Sequence, residues 1–153
     1  MGYTHYWYIN PETPQDQYKE AVASVQKLID HGVQENIIEK PTLKDKIENP
    51  PIFFNGIGQE SHETFVLLGL PKDYVTQSFV QKNEQGFVFD FCKTQRKPYD
   101  TYVTAALSIL KHFLKENIFV SSDGRPQDFI KGTVLAGRIL NLEIQNPNPS
   151  NDG

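Results

Sequence analysis

The chain opens on a period of two. In "GYTHYWYI" Tyr3, His5, Trp7 and Ile9 fall on one side and Thr4, Tyr6 and Tyr8 on the other, so the pattern predicts a strand. The period then lengthens. Tyr18, Val22, Val25, Leu28 and Ile29 recur at helical spacing behind Pro14, with Thr13 and Asp16 placed as a capping-box pair and Gly32 as the stop. "PIFFNGIG" and "ETFVLLGL" are short apolar runs around a polar loop and predict a hairpin, as do "QSFVQ" and "GFVFDFCK" around "KNEQG". Asp100 is read as the N-cap of a second helix whose stripe is Val103, Ala106, Leu107, Leu110, Phe113 and Leu114. "NIFVSS" predicts a last strand. A third helix is expected from Pro126 to about Leu140 through Phe129, Ile130, Val134 and Leu135, with Gly132 and Gly137 weakening it.

This order predicts a single α+β domain over 1–145, with a largely antiparallel sheet and two or three helices packed on one face. "NPNPSNDG", 146–153, has no apolar side chain to bury and reads as a disordered tail. In the fourth strand Phe87, Phe89 and Phe91 share one side and Val88, Asp90 and Cys92 the other; the Phe side is expected to lie under the helices.

Between that strand and the second helix, "FCKTQRKPYD" gathers Lys93, Arg96 and Lys97 next to a helix N-terminus. Free N–H groups and the helix dipole favour an anion there; Arg96 can fork onto phosphate or carboxylate, and Lys93 and Lys97 act as point charges. Thr94 lies in the same loop. Tyr6, Trp7 and Tyr99 are candidates to stack a base, and Asn55 to read its edge. The plain alternative is an exposed basic loop.

Charge narrows the partners. The 153 residues carry 15 Lys plus Arg against 19 Asp plus Glu, so no global field recruits nucleic acid or an anionic membrane, and anion recognition must be local. One short basic loop also offers too few phosphate contacts for a nucleic-acid surface. Cys92 is the single cysteine, which excludes an intrachain disulfide framework and fits a small buried residue. The opening residues lack a basic n-region and a long apolar core, and no run is long enough to span a bilayer, so a cytoplasmic location is expected. A homo-oligomer is left open.

Catalytic sets are incomplete. His5 and His62 are candidate general bases, with Glu63 or Asp90 to orient them. His5 between aromatics reads equally as a hydrogen-bonded core residue. "FFNGIGQESHETF" lacks the third glycine and the helix of a dinucleotide fingerprint. There is no His-x-x-x-His pair, HExxH or calcium-loop spacing, so neither metal nor cofactor is expected. "SSDGRPQD" carries hydroxyls and carboxylates but reads equally as a turn before a proline-started helix.

"GYTHYW", "FCKT", "KPYD" and "SSDG" together resemble blocks of a group of small uncharacterised proteins of bacteriophages and microbial genomes. The resemblance supplies no activity and no catalytic residue. It implies that the blocks act together and that a phage or accessory-gene context suits the chain. The leading expectation is a module binding a small anionic, nucleotide-like or phosphorylated ligand. A hydrolase or transferase acting on a phosphorylated substrate is the alternative, and a protein–protein adaptor the third.

Overall fold

The first strand, β1 (Thr4–Ile9), is central: β4 (Val88–Lys93) and β5 (Ile118–Ser122) pair with it antiparallel on either side. The computed structural model describes residues 2–42, 48–76 and 81–148. A separate antiparallel pair joins β2 (Ile52–Phe54) to β3 (Phe65–Leu67), the hairpin expected around the polar loop. The helices are α1 (Gln15–Gln34), α2 (Asp100–Leu114) and α3 (Ile130–Leu140), the last entered through a 3-10 turn at Pro126–Phe129. The chain is thus a single α+β domain with a mostly antiparallel sheet. The strand expected at "QSFVQ" lies mainly on 77–80, outside the described residues; beyond it Lys82 bridges Val88.

Every residue of α2 from Tyr102 to Leu110 is buried, so this helix is hydrophobic nearly all round and runs through the middle of the core. It packs against α1, α3 and β5. The β2–β3 hairpin closes the core from another side: Phe65 packs on Trp7 with ring centroids 5.3 Å apart and on Phe54 at 4.9 Å.

Three local expectations are corrected. Thr13 does not cap α1; its hydroxyl donates to the Asn10 carbonyl at 2.6 Å instead. Gly32 does not stop the helix, which continues to Gln34. Its missing side chain lets Ile38 and Tyr102 pack where a Cβ would stand 2.4 and 2.9 Å from them. On α3, Ile130 and Val134 face solvent at 54% and 51% exposure, while Gly132 and Ala136, with Phe129 in the turn before the helix, carry the burial.

The largest correction concerns the sheet. Register places Val88, Asp90 and Cys92 beside Ile9, Trp7 and His5, the inward residues of β1. The Phe face therefore points away from the helices. Phe91 is 48% exposed, Phe119 of β5 is 44% exposed, and Phe89, Tyr6 and Tyr8 are half-buried among them. The start of the expected tail is also held: Asn146 Nδ2 donates to the Pro126 carbonyl, and Asn148, buried, donates through Nδ2 to Gly124.

The α2–α3 crossing depends on Gly132. A Cβ there would stand 2.0 Å from Thr104 Oγ1 and 2.7 Å from the Ala105 backbone nitrogen. Gly132→Ala gains about 1 kcal/mol of helix propensity but forces the helices apart. We expect a net loss of about 1–3 kcal/mol in urea denaturation, the usual range for overpacking. Unchanged or increased stability would contradict this close crossing.

Candidate functional site at the end of the sheet

At one end of the sheet β1 begins and β4 and β5 finish, so the segments that precede and follow them meet there. His5 is the junction. Its side chain is wholly buried; Nε2 is 2.7 Å from Asp100 Oδ1 on α2, and Nδ1 is 2.8 Å from Ser122 Oγ on β5. Thr94, also fully buried, donates its hydroxyl to the same Asp100 oxygen at 2.5 Å. Ser122 Oγ accepts the Gly124 N–H at 2.9 Å. A carboxylate can only accept, so Nε2 carries a proton toward Asp100, and in the neutral ring Nδ1 accepts from Ser122. Tyr3 and Phe129 set their rings edge-on to the imidazole, at 5.1 and 5.2 Å.

Asp100 thus does not cap α2, and no side-chain cap is made there. Its carboxylate occupies the first turn, where it complements the helix dipole itself. A helix terminus free for an outside anion is therefore not what this loop provides.

The three cations separate. Arg96 lies 3.9 Å over the Tyr3 ring and 4.0 Å from Asp128, with its side chain 62% exposed. Gln95 and Arg96 are both left-handed, φ 55° and 59°, a conformation costing about 1–2 kcal/mol per non-glycine residue. Bonds from the Thr94 and Gln95 N–H groups to the Tyr3 carbonyl, and from the Arg96 N–H to Thr94 Oγ1, hold the turn. Lys93 runs its side chain along Gly2. Lys97 is half-buried and stands outside the cleft lined by Gly2, Tyr3, Gln95, Arg96 and Asp123, whose volume is about 530 Å³. Asp123 closes this cleft, accepting from the Thr4 N–H at 3.0 Å and the Tyr6 hydroxyl at 2.9 Å.

The remaining candidates scatter. Trp7 and Tyr99 are interior, 1% and 0% exposed, so neither offers a ring face to a base. Tyr99 instead donates to the Glu63 carbonyl. Asn55 is consumed as a loop bracket: Oδ1 accepts from Gly56 and His62, and Nδ2 donates to the His62 carbonyl and Thr64. His62 is exposed on that loop. Glu63 does not orient His5; its carboxylate accepts the Lys93 N–H at 2.7 Å and fastens the loop to β4. Burial pushes the Cys92 thiol up to about 12, leaving it protonated and inert.

Asp90 does not orient His5 either. It is Trp7's neighbour across the ladder and accepts the Phe91 N–H at 2.8 Å. Tyr6 alone among the proposed base-stacking residues lies on an open surface, 6.1 Å from Phe89 and nearly parallel to it; Phe89 in turn lies 5.8 Å from Phe91.

Sequence reasoning missed Asp100 and Ser122 as partners of His5, and missed Tyr3 altogether. Ser122 is 117 residues from His5, and only the β1–β5 register brings them together. The blocks "GYTHYW", "FCKT", "KPYD" and "SSDG" supply His5, Thr94, Asp100 and Ser122, so all four enter one network. No family model, curated protein or solved structure matches the chain significantly.

Burial raises the Asp90 carboxyl from the ordinary range to about 6. The folded state then holds a proton that the unfolded chain has already released, so stability is lost as pH rises from about 4 to about 6. Asp90→Asn removes the ionisation. We expect it to stabilise the protein at pH 7.5 and to do so much less at pH 4, read by urea denaturation at both. An equal effect at the two pH values would contradict the burial of the charge.

Proposed function

We propose that the protein is a binding module for a small anionic ligand of nucleotide type, held at the sheet end with its ring on the open face. One observation carries the reading: a continuous run of exposed and half-exposed rings, Phe89, Phe91 and Tyr6, ends beside the cleft that Arg96 lines and Lys93 adjoins. Every base has a π-face, and stacking one on an aromatic side chain contributes about 1–3 kcal/mol. Arg96 presents a planar fork to a phosphate and Lys93 a point charge. Among the described residues Lys93 has no carboxylate within ion-pair distance, and Arg96, stacked on Tyr3 with Asp128 at the 4.0 Å limit, keeps most of its side chain exposed to an anion. The cleft is of ordinary ligand-site size, roughly 300–1,000 Å³.

An adaptor is the second reading, favoured by Ile130 and Val134, exposed on α3 in a groove that Lys131 and Arg138 also line. It takes the lead if sedimentation shows self-association that Val134→Glu abolishes.

The test of the first reading is a thermal-shift series with a nucleoside monophosphate, the parent nucleoside and inorganic phosphate. At one hundred times its dissociation constant a ligand adds about 2.7 kcal/mol. The monophosphate is expected to shift the transition most. Phe91→Ala should weaken it roughly 5- to 150-fold, the equivalent of about 1–3 kcal/mol, and Lys93→Ala with Arg96→Ala should abolish the advantage over the nucleoside. No shift from any anion, or equal affinity in these variants, would overturn the reading.

A further inference from the structure

The network beneath the cleft has the composition of a nucleophilic site. We propose that Ser122 is the nucleophile of an acyl-transfer reaction, with His5 as its base, Asp100 orienting the imidazole, and the Tyr3 hydroxyl as donor to the developing oxyanion. This does not rest on nucleotide binding, and neither result decides the other.

The geometry supplies each role. A nucleophile needs a base within about 2.6–3.2 Å and a third group holding that base; Ser122–His5 is 2.8 Å and His5–Asp100 is 2.7 Å. The ring nitrogens are used in the opposite sense to the common serine arrangement, but such sites are defined by roles and geometry rather than by sequence position. Thr94, donating to the bonded Asp100 oxygen, fixes the carboxylate.

Tyr3 is the independent observation. It is 6% exposed and, among the described residues, its hydroxyl has no hydrogen-bond partner. Buried polar groups nearly always find partners, so an orphan beside a nucleophile marks a place where something else accepts. The hydroxyl presses on the turn after Ser122: a Cβ on Gly124 would stand 2.2 Å from it. Burial and the Asp100 and Asp128 charges push Tyr3 up to about 12, which keeps it a donor at neutral pH. Ser122 is near enough to oppose that rise, although no hydrogen bond of proper geometry joins the two hydroxyls.

His5 is closed from solvent, whereas Ser122 ends β5 half-buried between exposed Ser121 and Asp123. Tyr3 and Asp123 line the cleft and Ser122, next to Asp123 in the chain, is not in its wall, so substrate entering there reaches Oγ past the Tyr3 hydroxyl. Arg96 at that mouth selects a small ester with a carboxylate or phosphate on its acyl or leaving side.

The step closes on itself. The Ser122 proton passes to His5 Nδ1 as the Oγ–carbonyl carbon bond forms. The tetrahedral intermediate breaks the ester C–O bond, and the leaving alcohol takes the proton from Nδ1. Water then attacks the acyl group, gives a proton to Nδ1, and Ser122 regains it as the acid departs. No oxidant or reductant is involved.

The test uses the full chain with a fluorophosphonate and, separately, p-nitrophenyl acetate, read by intact mass and peptide mapping. One adduct mapping to Ser122 is expected, absent in Ser122→Ala and at least about 100-fold slower in Asp100→Asn, which keeps the shape of the carboxylate; triads lose up to about 10⁴ on this change. Circular dichroism establishes that each variant is folded; should Asp100→Asn unfold, Tyr3→Phe takes its place, with slower acylation expected. A folded wild type with no adduct on Ser122, or an adduct formed equally fast in the folded Asp100→Asn or Tyr3→Phe protein, would overturn the proposal.

Discussion

An imidazole removed from water needs a partner for each nitrogen, and at His5 that need fixes where three elements meet. An unmatched nitrogen would cost about 1–3 kcal/mol, so Asp100 must lie on one side and Ser122 on the other. The β1–β5 register follows, since a one-residue slip would send Ser122 to the opposite face. So does the start of α2, because its first residue supplies the carboxylate. Thr94, the left-handed turn at Gln95 and Arg96, and the Tyr3 carbonyl that receives that turn are arranged around the same point.

Once His5, Trp7 and Ile9 face inward, the rest of the sheet has no freedom. Pairing assigns Cys92, Asp90 and Val88 to the core and leaves the phenylalanines of β4 outside. The protein consequently half-buries an aspartate while leaving aromatic rings exposed or half-exposed. The half-buried aspartate is a local weakness in the fold. The exposed rings make a surface whose rigidity comes from a sheet rather than from a loop, and stacking benefits from such rigidity. The cations sit where that surface meets the cleft.

Much of the fold was legible. Period two at the start, period 3.6 in α1 and α2, and the proline-started third helix all reflect local chemistry, and local chemistry is what a sequence displays. The face of β4 was not legible, because alternation separates two faces without saying which is inside; that choice came from β1 through long-range pairing. The site divided the same way. Lys93, Arg96 and Thr94 were visible as a cluster in one loop. His5 was visible as a histidine among aromatics, equally a core residue. Its partners were not, since Asp100 looked like an ordinary cap and Ser122 like part of a turn, and contacts spanning 95 and 117 residues leave no local mark. Asn55 and Tyr99 misled because polar and aromatic side chains at a loop serve equally well to hold the loop itself.

The central claim is that His5 joins a carboxylate through Nε2 and a serine hydroxyl through Nδ1. Imidazole ¹⁵N chemical shifts test it directly. His5 is expected to carry a proton on Nε2 toward Asp100 and to accept from Ser122 at Nδ1, with the Nδ1 shift changing in Ser122→Ala. A proton on Nδ1, or a resonance indifferent to Ser122, would contradict the account.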